Sequence, residues 1–268
     1  MRVKILFGGL IAVLVAFCML SSSCGSEKTV DDYYKSGNYY LAFGKYDKAI
    51  EEYNKALELN PNDAVAYTNR GNAYSKLEEY EKAIDDYTKA IEINPNYAEA
   101  YNNRGVAYRL QSQYEKALAD CNKVIELKPN DAEAYFKRAW IYELLEEYDK
   151  EIADHTKVIE LNQNYIDAYT NRGYTYFNLE QYENAVSDFS KVIEFKPNND
   201  WAYLYRGKTY LALKEYDKAI ADFNKTIEIN PNFYNEVYYH RGQCYEALGE
   251  TEKAKADFDK AKELGYNG

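Results

Sequence analysis

Apolar and aromatic residues recur along this 268-residue chain with a period of 34 positions. Within each period, positions 4, 8 and 11 fall on one stripe of a helix, and positions 20, 24 and 27 fall on one stripe of a second, because residues three and four apart share a helix face. Two amphipathic helices joined by a short turn bury such stripes against each other. The pattern predicts seven helical hairpins, 30–63, 64–97, 98–131, 132–165, 166–199, 200–233 and, after one additional residue, 235–268.

Small and rigid residues keep the same period. All five prolines (Pro61, Pro95, Pro129, Pro197, Pro231) are separated by 34, 34, 68 and 34 residues. Six of the 13 glycines (Gly37, Gly71, Gly105, Gly173, Gly207, Gly242) occupy position 8, and Ala49, Ala83, Ala117, Ala185, Ala219 and Ala254 occupy position 20. Glycine and alanine remove bulk where the two helices approach, and proline at position 32 ends the second helix. Each hairpin alone leaves apolar surface uncovered, so neighbours must stack to complete a core.

In the second period, Tyr67, Gly71, Tyr74, Ala83, Tyr87 and Pro95 reproduce the spacing of the tetratricopeptide signature, with tyrosine where tryptophan or phenylalanine is common. From residue 30 to 268 the chain resembles that family. The resemblance implies an all-α solenoid, a right-handed superhelix of seven helix-turn-helix hairpins. It also implies a groove lined by positions 2, 5, 6, 9, 12 and 13 of the first helices, which commonly takes an extended peptide or a partner's helix. The expected function is a non-enzymatic protein-interaction scaffold. The alternative is a structural component that braces an envelope secretion, outer-membrane assembly or polysaccharide-export complex.

Position 6 of the groove reads Lys35, Asn69, Asn103, Lys137, Asn171, Tyr205, His240. The asparagines resemble a ladder of side-chain amides that offers a donor and an acceptor to a peptide backbone. The family's chaperone-tail clamp is not matched, since Tyr34, Glu99 and Asn103 stand in its cationic places. Phe136, Trp140, Tyr174, Phe177, Trp201 and Tyr205 place both tryptophans on the groove face of hairpins 4 to 6. Tryptophan and tyrosine dominate binding hot spots, so the expected partner-binding set is these six with Asn69, Asn103, Lys137 and Asn171.

Arginine at position 7 accompanies aspartate at position 23 in hairpins 2 to 7, which predicts a ladder of partly buried ion pairs that sets helix register; hairpin 1 has Ser36 and Glu52 instead. Hairpin 4 departs four times, with Ala139, Glu151, His155 and Gln163 in place of glycine, alanine, an aromatic and proline. We read Glu151 and His155 as a polar intrusion that loosens packing and bends the rod, and not as a catalytic dyad. No nucleophile with a base, metal cluster or phosphate loop is present in the sequence pattern, so no catalytic residue and no cofactor are expected.

The formal charge of −11 disfavours nucleic acid and anionic lipid surfaces as partners. Four cysteines and two histidines without CxxC spacing give no zinc site. Arg2 and Lys4 precede the apolar stretch 5–20, followed by Ser21, Ser22, Ser23, Cys24 and Gly25, the layout of a secretory signal over 1–23. Cys24 resembles the lipid-bearing cysteine of bacterial lipoproteins, although Leu20 stands four residues before it where three is usual. The expectation is an exported, membrane-anchored lipoprotein on the periplasmic or outer-membrane side, with 24–29 as a short tether. The alternative is an N-terminal transmembrane anchor. The polar last helix, with Lys253, Lys255, Lys260 and Lys262, fits a capped monomer.

Overall fold

The computed structural model describes residues 28–231 and 235–266; the readings on the secretory segment and on Cys24 lie outside them. Among the described residues the chain is all-helical. The helices are α1 (Val30–Ala42), α2 (Tyr46–Leu59), α3 (Ala64–Lys76), α4 (Tyr80–Ile93), α5 (Ala98–Leu110), α6 (Tyr114–Leu127), α7 (Ala132–Leu144), α8 (Tyr148–Leu161), α9 (Ile166–Asn178), α10 (Tyr182–Phe195), α11 (Asp200–Ala212), α12 (Tyr216–Ile229), α13 (Asn235–Ala247) and α14 (Thr251–Glu263). Packing divides between Gln111 and Ser112 into two compact units, α1 to α5 and α6 to α14.

Local chemistry explains the helix ends. Asp63, Asp131 and Asn199 cap the N-termini of α3, α7 and α11 through their side-chain oxygens, and Thr29 with Asp32 forms a capping box on α1. After α3, Glu78 N–H bonds Ser75 O and Glu79 N–H bonds Tyr74 O, which closes the helix with a left-handed residue at Glu78. Ser112, Glu146, Glu180 and Lys214 take the same positive φ, and Gly44 and Gly249 fill this place in the first and last periods. Where Gln163 replaces proline, Asn162 Oδ1 accepts from Asn164 N–H at 3.0 Å, as Asn94 does from Asn96 at 3.1 Å. The turn therefore survives without proline, because the asparagine side chain holds it.

Gly37, Gly71, Gly173, Gly207 and Gly242 at position 8 make room for one ring each, whereas Gly105 shares its period with Cys121 in the ring's place. A Cβ on Gly71 would lie 2.7 Å from Tyr87, and one on Gly207 would lie 2.7 Å from Phe223. Tyr53, Tyr87, Phe189 and Phe223 are accordingly almost wholly enclosed. Ala139 and His155 occupy these two register positions in the fourth period, so the added methyl coincides with a smaller ring. In the first unit the core gathers around Tyr53 and around Tyr87. In the second it includes Leu204, Phe223, Val237 and Cys244.

The arginine ladder forms as expected and does more than pair. Arg70, Arg138, Arg172, Arg206 and Arg241 each hold their aspartate through Nε and Nη2 at 2.6–2.8 Å. The remaining Nη1 donates to a residue of the preceding hairpin at position 25: Asn54, Asn122, Thr156, Ser190 and Asn224, respectively. Burial pushes the Asp86, Asp188 and Asp222 carboxyls up against the pull of their arginines. Such pairs specify register more than they add stability.

Candidate functional site

The groove positions of the first unit are organised by a hydrogen-bonded relay that repeats once. Tyr53 Oη donates to Asn38 Oδ1 at 2.7 Å, and Asn69 Nδ2 donates to the same oxygen at 3.0 Å. One period on, Tyr87 Oη donates to Asn72 Oδ1 at 2.8 Å and Asn103 Nδ2 donates to it at 2.9 Å. Asn69 Nδ2 also donates to Tyr34 Oη at 2.9 Å, so both its hydrogens are used.

The expectation that the position-6 asparagines present free donors is therefore corrected for Asn69. The outward donors belong to Asn38 and Asn72, whose carbonyl oxygens are occupied twice and whose amino groups have no acceptor among the described residues. A cavity of about 390 Å³ opens beside Asn72, lined also by Ser75, Lys76, Asn103 and Val106 among others. The signal was present in the sequence: asparagine at position 9 occurs with tyrosine at position 24, and in no other period. Asn171 has neither partner, and its side-chain amide has no hydrogen bond among the described residues.

The aromatic residues of hairpins 4 to 6 do not form one patch. Tyr174, Phe177, Trp201 and Tyr205 cluster, with the Trp201 and Tyr205 rings 4.2 Å apart, Tyr174 and Tyr205 5.3 Å apart, and Phe177 and Tyr205 5.8 Å apart. Trp201 also meets core Phe189 at 5.7 Å, so part of its surface serves packing. Phe136 lies elsewhere, against His155 at 5.4 Å and Tyr165 at 4.9 Å. Trp140 is 44% exposed. Lys137 lies 3.5 Å from Glu133, whose other oxygen accepts from Tyr165 Oη at 2.7 Å.

The cluster opens onto a second cavity, of about 350 Å³, between α9, α11 and α13, to which Lys208, His240 and Gln243 contribute. Lys208 Nζ is 3.0 Å from Glu236 and 5.0 Å from the Tyr205 ring centre. Burial pushes the His240 imidazole down, and its Nδ1 is 3.0 Å from Gln243 Oε1. This stretch is thus aromatic and close to neutral, whereas the first unit's stretch is amide-lined.

Among the described residues, no group of three or more His, Cys, Asp or Glu side chains could hold a metal ion. No helix among them is long and apolar enough to cross a membrane.

A tetratricopeptide repeat family model matches residues 64–97, 98–131, 166–199 and 201–233, half of the chain. The chain belongs to the tetratricopeptide repeat family. Related repeat models match 37–78, 121–153 and 236–264, which supports about seven repeats. Among curated proteins, none matches the chain. Solved structures do. YrrB, described as a tetratricopeptide repeat protein with an unusual peptide-binding site, is 28% identical, with a TM-score of 0.60 over 67% of this chain and 93% of that one. MamA is 27% identical, with a TM-score of 0.59 over 62% and 91%. A tetratricopeptide repeat protein from Parabacteroides merdae is 24% identical, with a TM-score of 0.63 over 89% and 94%, and speaks to the fold alone. The tetratricopeptide fold places this chain among protein-interaction scaffolds, which are generally not enzymes.

Proposed function

We propose that this tetratricopeptide protein is a non-catalytic scaffold that holds an extended segment of a partner protein along its first helices, at the cell envelope. One observation carries the reading. Asn38 and Asn72 are locked by a tyrosine below and an asparagine beside, so that their amino groups stand ready for the carbonyl oxygens of a bound backbone. Donors oriented in advance lose little entropy on binding. YrrB, similar over two thirds of the chain, is described as having a peptide-binding site, which supports the same reading.

Envelope attachment rests on the sequence: a signal over 1–23 removed on export, lipid at Cys24, and 24–29 as the tether, with an uncleaved anchor as the alternative. Six residues extend roughly 20 Å, so the repeats would work close to the membrane. Palmitate incorporation that disappears in Cys24→Ala is the expected result, and an unlabelled wild type would end that part of the proposal.

The partner claim is tested by photo-cross-linking in the native envelope. Cross-linkers at Ser75 and Phe177 should capture a partner, whereas cross-linkers at Glu92 and Glu194 on second helices should not. Equal capture from both sets would refute groove binding. A specific feature keeps the bracing alternative in view. Position 10 is buried in hairpins 2 to 7, but Tyr39 holds it in hairpin 1 at 57% exposure, with Phe43 beside it at 65% and their rings 4.6 Å apart. Capture from Tyr39 alone would favour bracing.

A further inference from the structure

Two ionisable side chains are sealed inside the fourth hairpin. Glu151 and His155, one turn apart on α8, are each 1% exposed. Glu151 Oε1 accepts from the Thr175 hydroxyl of α9 at 2.6 Å, and His155 Nε2 lies 3.6 Å from the same oxygen, too far for a hydrogen bond. Glu151 Oε2 and His155 Nδ1 are buried with no partner among the described residues. At these positions the other six hairpins carry alanine, and tyrosine, phenylalanine or cysteine.

The surroundings offer the pair no countercharge. From α7, Glu143 bears on Glu151 with like charge, and Phe136 covers the imidazole. From α9, Arg172 bears on His155 with like charge, and its guanidinium is already committed to Asp188 and Thr156. On α8 itself, Asp154 is held by Arg138 from α7. A carboxylate with an unsatisfied oxygen, or an imidazolium near arginine, is strongly disfavoured in such an interior.

We propose that Glu151 and His155 form a proton-operated latch: the junction between α8 and α9 is closed while the carboxyl carries its proton and the imidazole is neutral, and it opens when the carboxyl ionises. In mildly acidic solution the unfolded chain holds the proton on the imidazole and the folded chain holds it on the carboxyl. One proton changes site and none is taken up or released.

The direction of each group agrees. Burial pushes Glu151 up to about 7, reinforced by Glu143 and opposed by the Thr175 hydrogen bond. Its contribution is complete below the ordinary 4.5 and is lost as pH rises through about 7. Burial pushes His155 down to about 4, helped by Arg172, so its contribution is complete above 6.5 and is lost as pH falls through about 4. Between 4.5 and 6.5 the two slopes cancel, and above 6.5 the carboxyl alone decides.

Amide hydrogen exchange on the full chain, corrected for intrinsic rates, tests the latch. Protection of α8 and α9 should hold steady from about pH 5 to 6, then fall about threefold by about pH 8.5, because only the half unit between 6.5 and about 7 is left uncompensated. Glu151→Ala should abolish that fall. His155→Phe should start it near pH 5, because the compensating slope is gone. Both variants install a residue that other hairpins carry at the same place, so both should fold. A wild type and Glu151→Ala with the same pH profile would overturn the proposal, as would an equal loss of protection in α3 and α4.

Discussion

Arg70 reaches back across the turn before its own hairpin: its Nη1 donates to Asn54 Oδ1 at 2.6 Å, while Nε and Nη2 hold Asp86 at 2.8 and 2.6 Å. One guanidinium thus fixes two relationships, helix to helix within a hairpin and hairpin to preceding hairpin. The rigid fork of arginine makes both possible, and lysine could not reproduce it.

Removing the fork strands a buried aspartate. Arg172→Ala should cost about 3–5 kcal/mol, Thr156→Ala, which loses only the neighbouring acceptor, about 1 kcal/mol, and Lys76→Ala under about 0.5 kcal/mol. Urea unfolding of the three variants checks the order, and equal losses would show that the ladder is ornamental.

A methyl group at position 8 meets a ring. Gly207→Ala should destabilise by about 1–3 kcal/mol, because its Cβ falls 2.7 Å from Phe223. Ala139→Gly faces the smaller His155 and should cost only about 1 kcal/mol, the ordinary helical penalty of glycine. Thermal melts of both variants decide whether ring size sets the requirement.

Glu180 holds a positive φ of 58° with an ordinary side chain. Glu180→Gly should raise stability by about 0.5–1 kcal/mol, since glycine adopts that conformation without a Cβ clash. A lower urea midpoint would contradict this account of the turn.

The relay predicts which asparagine matters for binding. Asn72→Ala removes the outward donor and should weaken partner capture from a Ser75 cross-linker about tenfold, the effect of one hydrogen bond lost at roughly 1.4 kcal/mol. Tyr87→Phe removes the hydroxyl that holds Asn72 and should weaken capture less, while the fold survives, as Phe189 and Phe223 show at the same register. Undiminished capture by Asn72→Ala would remove the amide from the binding surface.

The sequence by itself determined the helices, their pairing and the ladder, because a 34-residue period leaves each stripe, glycine and arginine one consistent place. It also marked the groove positions, since helical spacing decides which residues share a face. Tertiary structure decided what those residues do there. Asn69 was legible as a groove amide, but only the approach of Tyr34 and Asn38 uses up its hydrogens and passes the donor role to Asn38 and Asn72. Trp201 was legible as an aromatic on the groove face, yet its contact with Phe189 draws part of it into the core, while Phe136 packs on His155 and Tyr165 instead. Glu151 and His155 were legible as a break in the pattern, and only their complete enclosure turns that break into a question of protonation. Periodicity reports which face a residue occupies; hydrogen-bond partners and exclusion of water come from neighbours about 15 to 35 positions away in the chain, and no local pattern encodes them.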